Sequence, residues 1–241
     1  MSFTINSNTN KAMKTIFSAG LAGALTCISL VSVSCDVYND NHPAPVSYVS
    51  FYNASPDAPS LGIVVDDKLV NTVPFAYSDH TSLRFDIGSR NFKIGSYGTS
   101  DIFVDTTLVL QEDISYSIFI VDEYNDVSVL ILSDKAVLPP PLKAKIRFIN
   151  LSPDGKRMQL KVQDLPTPLI GGQSFKEASS YVDVDSRTYN LEVVSEEGPA
   201  IKLPMPDIKI EDGWIYTILV RGYTTPPPGN NNGLSVEVVA N

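Results

Sequence analysis

Asn53-Ala54-Ser55-Pro56-Asp57 returns 97 residues later as Asn150-Leu151-Ser152-Pro153-Asp154, and this repetition decides how the chain is read. Each copy closes an alternating run, Val49-Ser50-Phe51-Tyr52 in one case and Ile146-Arg147-Phe148-Ile149 in the other. Apolar residues at every second position mark a strand with one buried face, so the repeated unit is a strand that ends in a fixed turn. In such a turn proline presets φ, while Ser and Asp side chains accept hydrogen bonds from backbone N–H groups close by in sequence. Ser55, Pro56, Asp57, Ser152, Pro153 and Asp154 are therefore expected to be structural turn residues. A calcium role for the two aspartates would need several converging oxygens, and no dense loop of the EF-hand type supplies them.

Outward from the turns the two halves continue in parallel. Leu61, Ile63 and Val65 recur as Met158, Leu160 and Val162, and Asp86-Ile87-Gly88-Ser89-Arg90 as Asp183-Val184-Asp185-Ser186-Arg187. Glu112-Asp113 before Tyr116 returns as Glu211-Asp212 before Tyr216, shifted by small loop insertions. Strands are expected at Ser47–Tyr52, Leu61–Val65, Leu69–Val73, Ser82–Ile87, Phe92–Ser96, Ile102–Leu110, Tyr116–Val121 and Val127–Leu132, with no amphipathic helix of useful length. A repeat of this length matches a small domain and can bury roughly two thirds of its unfolded surface. Pro139-Pro140-Pro141 cannot continue a ladder or a helix, so residues 137–142 are expected to be a stiff polyproline linker holding the halves apart. Pro226-Pro227-Pro228-Gly229 and the Asn run after it predict a mobile loop before a last strand, Leu234–Val239.

The N-terminal segment has a different character. Lys11 and Lys14 precede a charge-free, small-residue stretch from Thr15 to Ser34, the pattern of a secretory signal over residues 1–34. Leu30-Val31-Ser32-Val33-Ser34-Cys35 resembles a bacterial lipoprotein signal, although Ser32 stands where leucine is usual. The resemblance implies acylation at Cys35, a tether over 35–45, and membrane attachment through the lipid. Both cysteines, Cys27 and Cys35, fall in this segment, so neither repeat can contain a disulfide.

Removing Lys11 and Lys14 with the leader takes the net charge from −9 to −11. An acidic surface repels phosphate backbones, which speaks against nucleic acid as a partner. His42 and His80 are the only imidazoles, and His42 sits in the tether. Zinc and cysteine chemistry therefore have no ligand set in the repeats, and no cofactor or metal is expected. Gly171-Gly172 and the Gly95–Gly98 stretch lack a strand-to-helix phosphate-loop pattern. A carboxylate pair acting on a glycan stays open, because two acids can come from distant strands. Tyr124 and Tyr223 each precede the last strand of their half and are the candidate binding contacts, as exposed loop tyrosines often are. The alternative is that each ring folds back over its own core. Trp214 fits a core or an edge position equally.

With the strand, the Ser-Pro-Asp turn, a second strand ending in Asp66-Asp67 or Gln163-Asp164, and Phe75 or Phe175 after it, both halves resemble the family called domain of unknown function 4397. The resemblance covers residues 46–239. It implies secreted or lipid-anchored envelope proteins built from β-sandwich domains, often in tandem, and it brings no established activity. The expectation is an all-β chain of two tandem antiparallel sandwiches, immunoglobulin-like or transthyretin-like, over 46–136 and 143–241. Its place would be the outer membrane of a Gram-negative cell envelope. Its function would be non-catalytic binding of, or adhesion to, a protein or glycan, with a structural spacer or envelope-complex subunit, and then an enzyme acting on extracellular polymer, as alternatives.

Overall fold

In the computed structural model, which describes residues 44–135, 137–163, 165–198 and 200–241, the alternation around Val49 becomes strand β1 (Val46–Asn53). Cys35 and the leader lie outside the described residues, as does the tether up to residue 43. Val49 and Phe51 point inward and are fully buried, while Tyr48 on the opposite face is exposed. The first repeat continues with β2 (Leu61–Val65), β3 (Lys68–Leu69), β4 (His80–Asp86), β5 (Gly88–Ser96), β6 (Ile102–Leu110), β7 (Ile114–Val121) and β8 (Ser128–Lys135). They form two sheets, ordered β4-β1-β7-β8 and β3-β2-β5-β6. Val49, Phe51, Ile118 and Ile120 from one sheet meet Leu61, Ile63, Phe92 and Ile94 from the other in a single core. Two sheets that share one core make a sandwich, and truncating a residue such as Phe51 there costs about 3–5 kcal/mol.

The second repeat is built the same way from β9 (Lys143–Leu151), β10 (Met158–Val162), β11 (Ile170–Gln173), β12 (Glu177–Ala178), β13 (Val182–Asp185), β14 (Arg187–Ser195), β15 (Lys202–Ile210), β16 (Ile215–Arg221) and β17 (Ser235–Ala240). Its sheets run β12-β9-β16-β17, with β13 also on β9, and β11-β10-β14-β15. Ile146, Phe148, Ile218 and Val220 pack on Met158, Leu160, Leu191 and Val193.

Four expectations change. The sheets are mixed rather than purely antiparallel, because β1 pairs β7 in parallel and β9 pairs β16 in parallel. The strand expected at Leu69–Val73 stops at Leu69, since the Asn71 carboxamide replaces the ladder: it accepts from Ile63 N at 2.7 Å and donates to Leu61 O at 3.0 Å. The halves are not held apart, for Pro43–Asn241 is one compact unit and a third buried cluster joins the repeats. The proline-rich loop before β17 is anchored: Asn230 and Asn232 donate their side-chain amides to the Pro56 carbonyl of the first repeat, at 3.0 and 2.5 Å.

Candidate functional site

The outward faces of four strands carry one pattern. β1 presents Tyr48, Ser50 and Tyr52, leading to Ala54; β7 presents Ser115, Ser117, Phe119 and Val121; β9 presents Lys145, Arg147, Ile149 and Leu151. On β16, Thr217 precedes Leu219. Each strand is polar first and apolar later. Parallel pairing keeps these halves level, with Ser50 opposite Ser117, Tyr52 opposite Phe119, Arg147 opposite Thr217 and Ile149 opposite Leu219.

The apolar halves meet across the repeats. Tyr52, Ala54, Phe119 and Val121 pack with Ile149, Leu151 and Leu219 in a buried cluster, with Tyr52 stacked on Phe119 at 4.7 Å. The polar halves leave a cleft of about 740 Å³, lined on one side by Tyr48, Ser50, Ser115 and Ser117 and on the other by Lys145, Arg147 and Tyr181. Hydrophobic contact therefore closes one end of the interface, and the hydration of serines and charges leaves the other open.

Arg147 fixes the floor. It is 3% exposed, donates from Nη1 to Asp134 Oδ2 of the first repeat at 2.5 Å and from Nε to Thr217 Oγ1 at 2.9 Å, and lies 4.9 Å from the Tyr181 ring centre. A buried guanidinium needs such partners, because an unpaired buried charge is strongly unfavourable. The Tyr181 hydroxyl donates to the same Asp134 oxygen at 3.4 Å. Burial, opposed by Arg147 and reinforced by Asp134, pushes that hydroxyl up to about 12, so it stays protonated and a donor at neutral pH. At the mouth, Tyr48 is 52% exposed, and Ser50 Oγ donates to Ser82 Oγ at 3.1 Å. His80 stacks on Tyr52 at 6.0 Å and places Nδ1 3.6 Å from Glu237 of the other repeat. The cleft thus offers fixed hydroxyls, cations and an exposed aromatic face, the equipment of recognition.

The serines and aspartates of the two turns make long-range bonds. The local bond belongs to the asparagines: Ser55 N donates to Asn53 Oδ1 at 3.2 Å and Ser152 N to Asn150 Oδ1 at 3.1 Å. The serine hydroxyls reach the residue just after β7 or β16, with Ser55 Oγ donating to Asp122 O and Ser152 Oγ to Gly222 O, each at 2.6 Å. Both residues have positive φ, 69° at Asp122 and 87° at Gly222. Gly222 has a further reason to lack a side chain, since a Cβ there would lie 2.3 Å from Gly233 O. Asp57 accepts from Tyr124 N at 2.8 Å, and Asp154 from Thr224 N at 2.7 Å and Thr225 N at 3.1 Å. Each turn therefore clasps the loop that follows the central parallel strand of its own repeat.

Those loops do not carry the expected pair of exposed tyrosines. Tyr124 is 45% exposed and meets Phe103 edge-on at 5.7 Å. Tyr223 is 3% exposed, with the Asp57 carboxylate of the first repeat beside its hydroxyl. Burial first, then the Asp57 carboxylate, hold that hydroxyl far above the ordinary tyrosine range. Tyr223 is thus a contact between repeats and offers no surface to a ligand. Trp214 lies exposed between β15 and β16, outside the core. Tyr48 and Arg147 are the cleft residues that sequence reasoning missed. Their signal was the outward half of the alternation that located β1 and β9.

The profile of the family described as Domain of unknown function (DUF4397) matches residues 47–161, from β1 through β10, and supports the family that the turns imply. No curated protein matches the chain. Among solved structures, the chain is similar to a family CBM26 module of Amy13K from Eubacterium rectale, in complex with maltoheptaose, at 11% identity over 79% of this chain and 96% of that one, TM-score 0.24. A streptococcal virulence factor described by its alpha-glucan binding is similar at 12% identity over 72% and 92%, TM-score 0.24. The tip fimbrial protein Mfa3 from Porphyromonas gingivalis is similar at 9% identity over 81% and 99%, TM-score 0.24.

Proposed function

We propose that this chain is a non-catalytic binding module of the cell envelope, and that its ligand, a glycan or a protein, seats in the cleft between the repeats. On this reading it consists of two tandem domains of the 4397 family, residues 46–136 and 143–241, joined at 137–142. Acyl chains on Cys35 hold it at the outer membrane. The observation that carries the proposal is the cleft itself, where buried Arg147 ties both repeats to one floor and Tyr48 stands exposed above it. A site held ready in this way loses little conformational freedom on binding, which favours recognition. The shared apolar cluster also suits a structural spacer, since it makes one unit of two repeats.

Two substitutions test the parts separately. Tyr48→Ala should weaken retention of the purified protein on envelope polymers at least tenfold with the fold intact by circular dichroism, because a half-exposed ring is removed and no core is disturbed. Cys35→Ser should abolish incorporation of labelled palmitate and leave the protein soluble. Normal retention of Tyr48→Ala would remove the cleft from the account, and turnover of a polymer by the wild type would end the non-catalytic reading.

A further inference from the structure

The cleft does not end at Tyr48. A second hollow of about 580 Å³, lined by Pro45, Val46, Arg84 and Glu112, shares Tyr48, Ser115 and Lys135 with the first. The two are one groove with Tyr48 and Lys135 at its waist, following the outer face of β1 for about 20 Å from Tyr52 to Val46. A compact metabolite would fill one hollow, whereas a chain fills both.

The groove's wall favours a glycan chain over a peptide. β1 and β7 are the central strands of their sheet, so their backbone groups are taken by the ladder and they face the groove with side chains alone, while the edge strands β4, β8 and β17 reach the main cleft with only two or three residues each. A peptide binding by strand addition needs an open sheet edge, and one binding through side chains needs apolar pockets. Serine hydroxyls beside an exposed tyrosine ring suit sugar hydroxyls and the C–H face of a pyranose instead.

Charge narrows the class further. Along the whole groove four cations, Arg84, Lys135, Lys145 and Arg147, face three carboxylate side chains, those of Glu112, Asp113 and Asp134, in a chain with 27 acidic and 18 basic residues. Lys145 is paired with Asp183 at 2.8 Å and Arg147 with Asp134, while Lys135 has no ion-pair partner among the described residues. We infer, resting on the binding role proposed for the cleft, that the groove takes an extended acidic glycan, with one carboxylate or sulfate held by Lys135 at the waist. A cation in an otherwise acidic protein selects such a ligand by complementarity more than by raw affinity.

The test is calorimetric titration of the purified protein with oligogalacturonates from dimer to octamer, their methyl esters, sulfated glycan oligomers and oligoglutamate. Affinity should rise with oligogalacturonate length and then level once both hollows are spanned. The ester should bind about tenfold more weakly than the acid. Lys135→Gln should lower the acid to the level of its ester and leave the ester unchanged, while Lys135→Arg should keep the preference. Equal binding of acid and ester, or no effect of Lys135→Gln, overturns the acidic assignment and leaves the cleft reading standing. Oligoglutamate bound as tightly as the glycans overturns the glycan assignment, as does failure of every acidic glycan to bind. The cleft reading falls separately, if Tyr48→Ala leaves the affinity of each bound probe unchanged.

Discussion

Leu219→Asp is expected to uncouple the two repeats while each keeps its own core. Leu219 is fully buried in the cluster between the repeats, beside Ile149 and Leu151, on the face of β16 opposite Ile218 and Val220. Losing a buried leucine costs about 2–5 kcal/mol on its own. A carboxylate placed among Phe119, Val121 and Ile149 adds the desolvation of an unpaired charge, which the protein escapes only by parting the two sheets. Calorimetry should therefore show one unfolding transition for the wild type, because the shared cluster couples the repeats, and two for the variant. The variant should also lose ligand retention, since the cleft has walls only while both repeats are docked. A single transition at an unchanged midpoint would mean that the cluster contributes nothing to holding the repeats together.

The second large effect is at Asp154, where Asp154→Ala should destabilise the protein by about 2 kcal/mol, the scale of hydrogen bonds to a charged group. The carboxylate accepts from Thr224 N, Thr224 Oγ1 and Thr225 N, so its loss frees the loop after β16. Partial burial works to raise its pKa, and the bonds from Thr224 and Thr225 outweigh that, leaving it below the ordinary carboxylate value of 3.8. A pKa depressed on folding gives stability that is complete above the unfolded value and is lost as pH falls through the folded one. Wild type should thus lose stability below about pH 4 more steeply than Asp154→Asn, as denaturant titrations at successive pH values would read. Parallel pH profiles would mean that the clasp does not depend on the charge. Loosening it also frees the loop whose Tyr223, Asn230 and Asn232 dock on the first repeat, so ligand retention should fall as well.

Much of this fold is legible because strands write their buried face at every second residue. Ile102–Leu110 and Leu61–Val65 begin and end where the alternation does. What local pattern does not carry is the partner of each outward residue. Tyr48 meets Ser115 in register across 67 positions of sequence, and that parallel pairing aligns the polar halves of β1 and β7. The Ser-Pro-Asp turns stand out as turns, yet their hydroxyl and carboxylate bonds run to loops 67 to 71 residues away. Tyr124 and Tyr223 look equivalent in sequence, and only the second is followed by a proline and asparagine loop that can fold onto the other repeat. Arg147 is the plainest case: a charge between Ile146 and Phe148 belongs to the outer face of a strand, and its burial becomes visible only when another sheet covers that face.

Position-specific photo-cross-linking in intact cells asks where the ligand sits without first identifying it. A benzophenone side chain placed at Tyr48 should give an envelope adduct, and that adduct should disappear when Leu219→Asp is added. The same group at Tyr124, exposed on a loop away from the cleft lining, should give none. An adduct from position 124 with none from position 48 would contradict the cleft and return recognition to the loop.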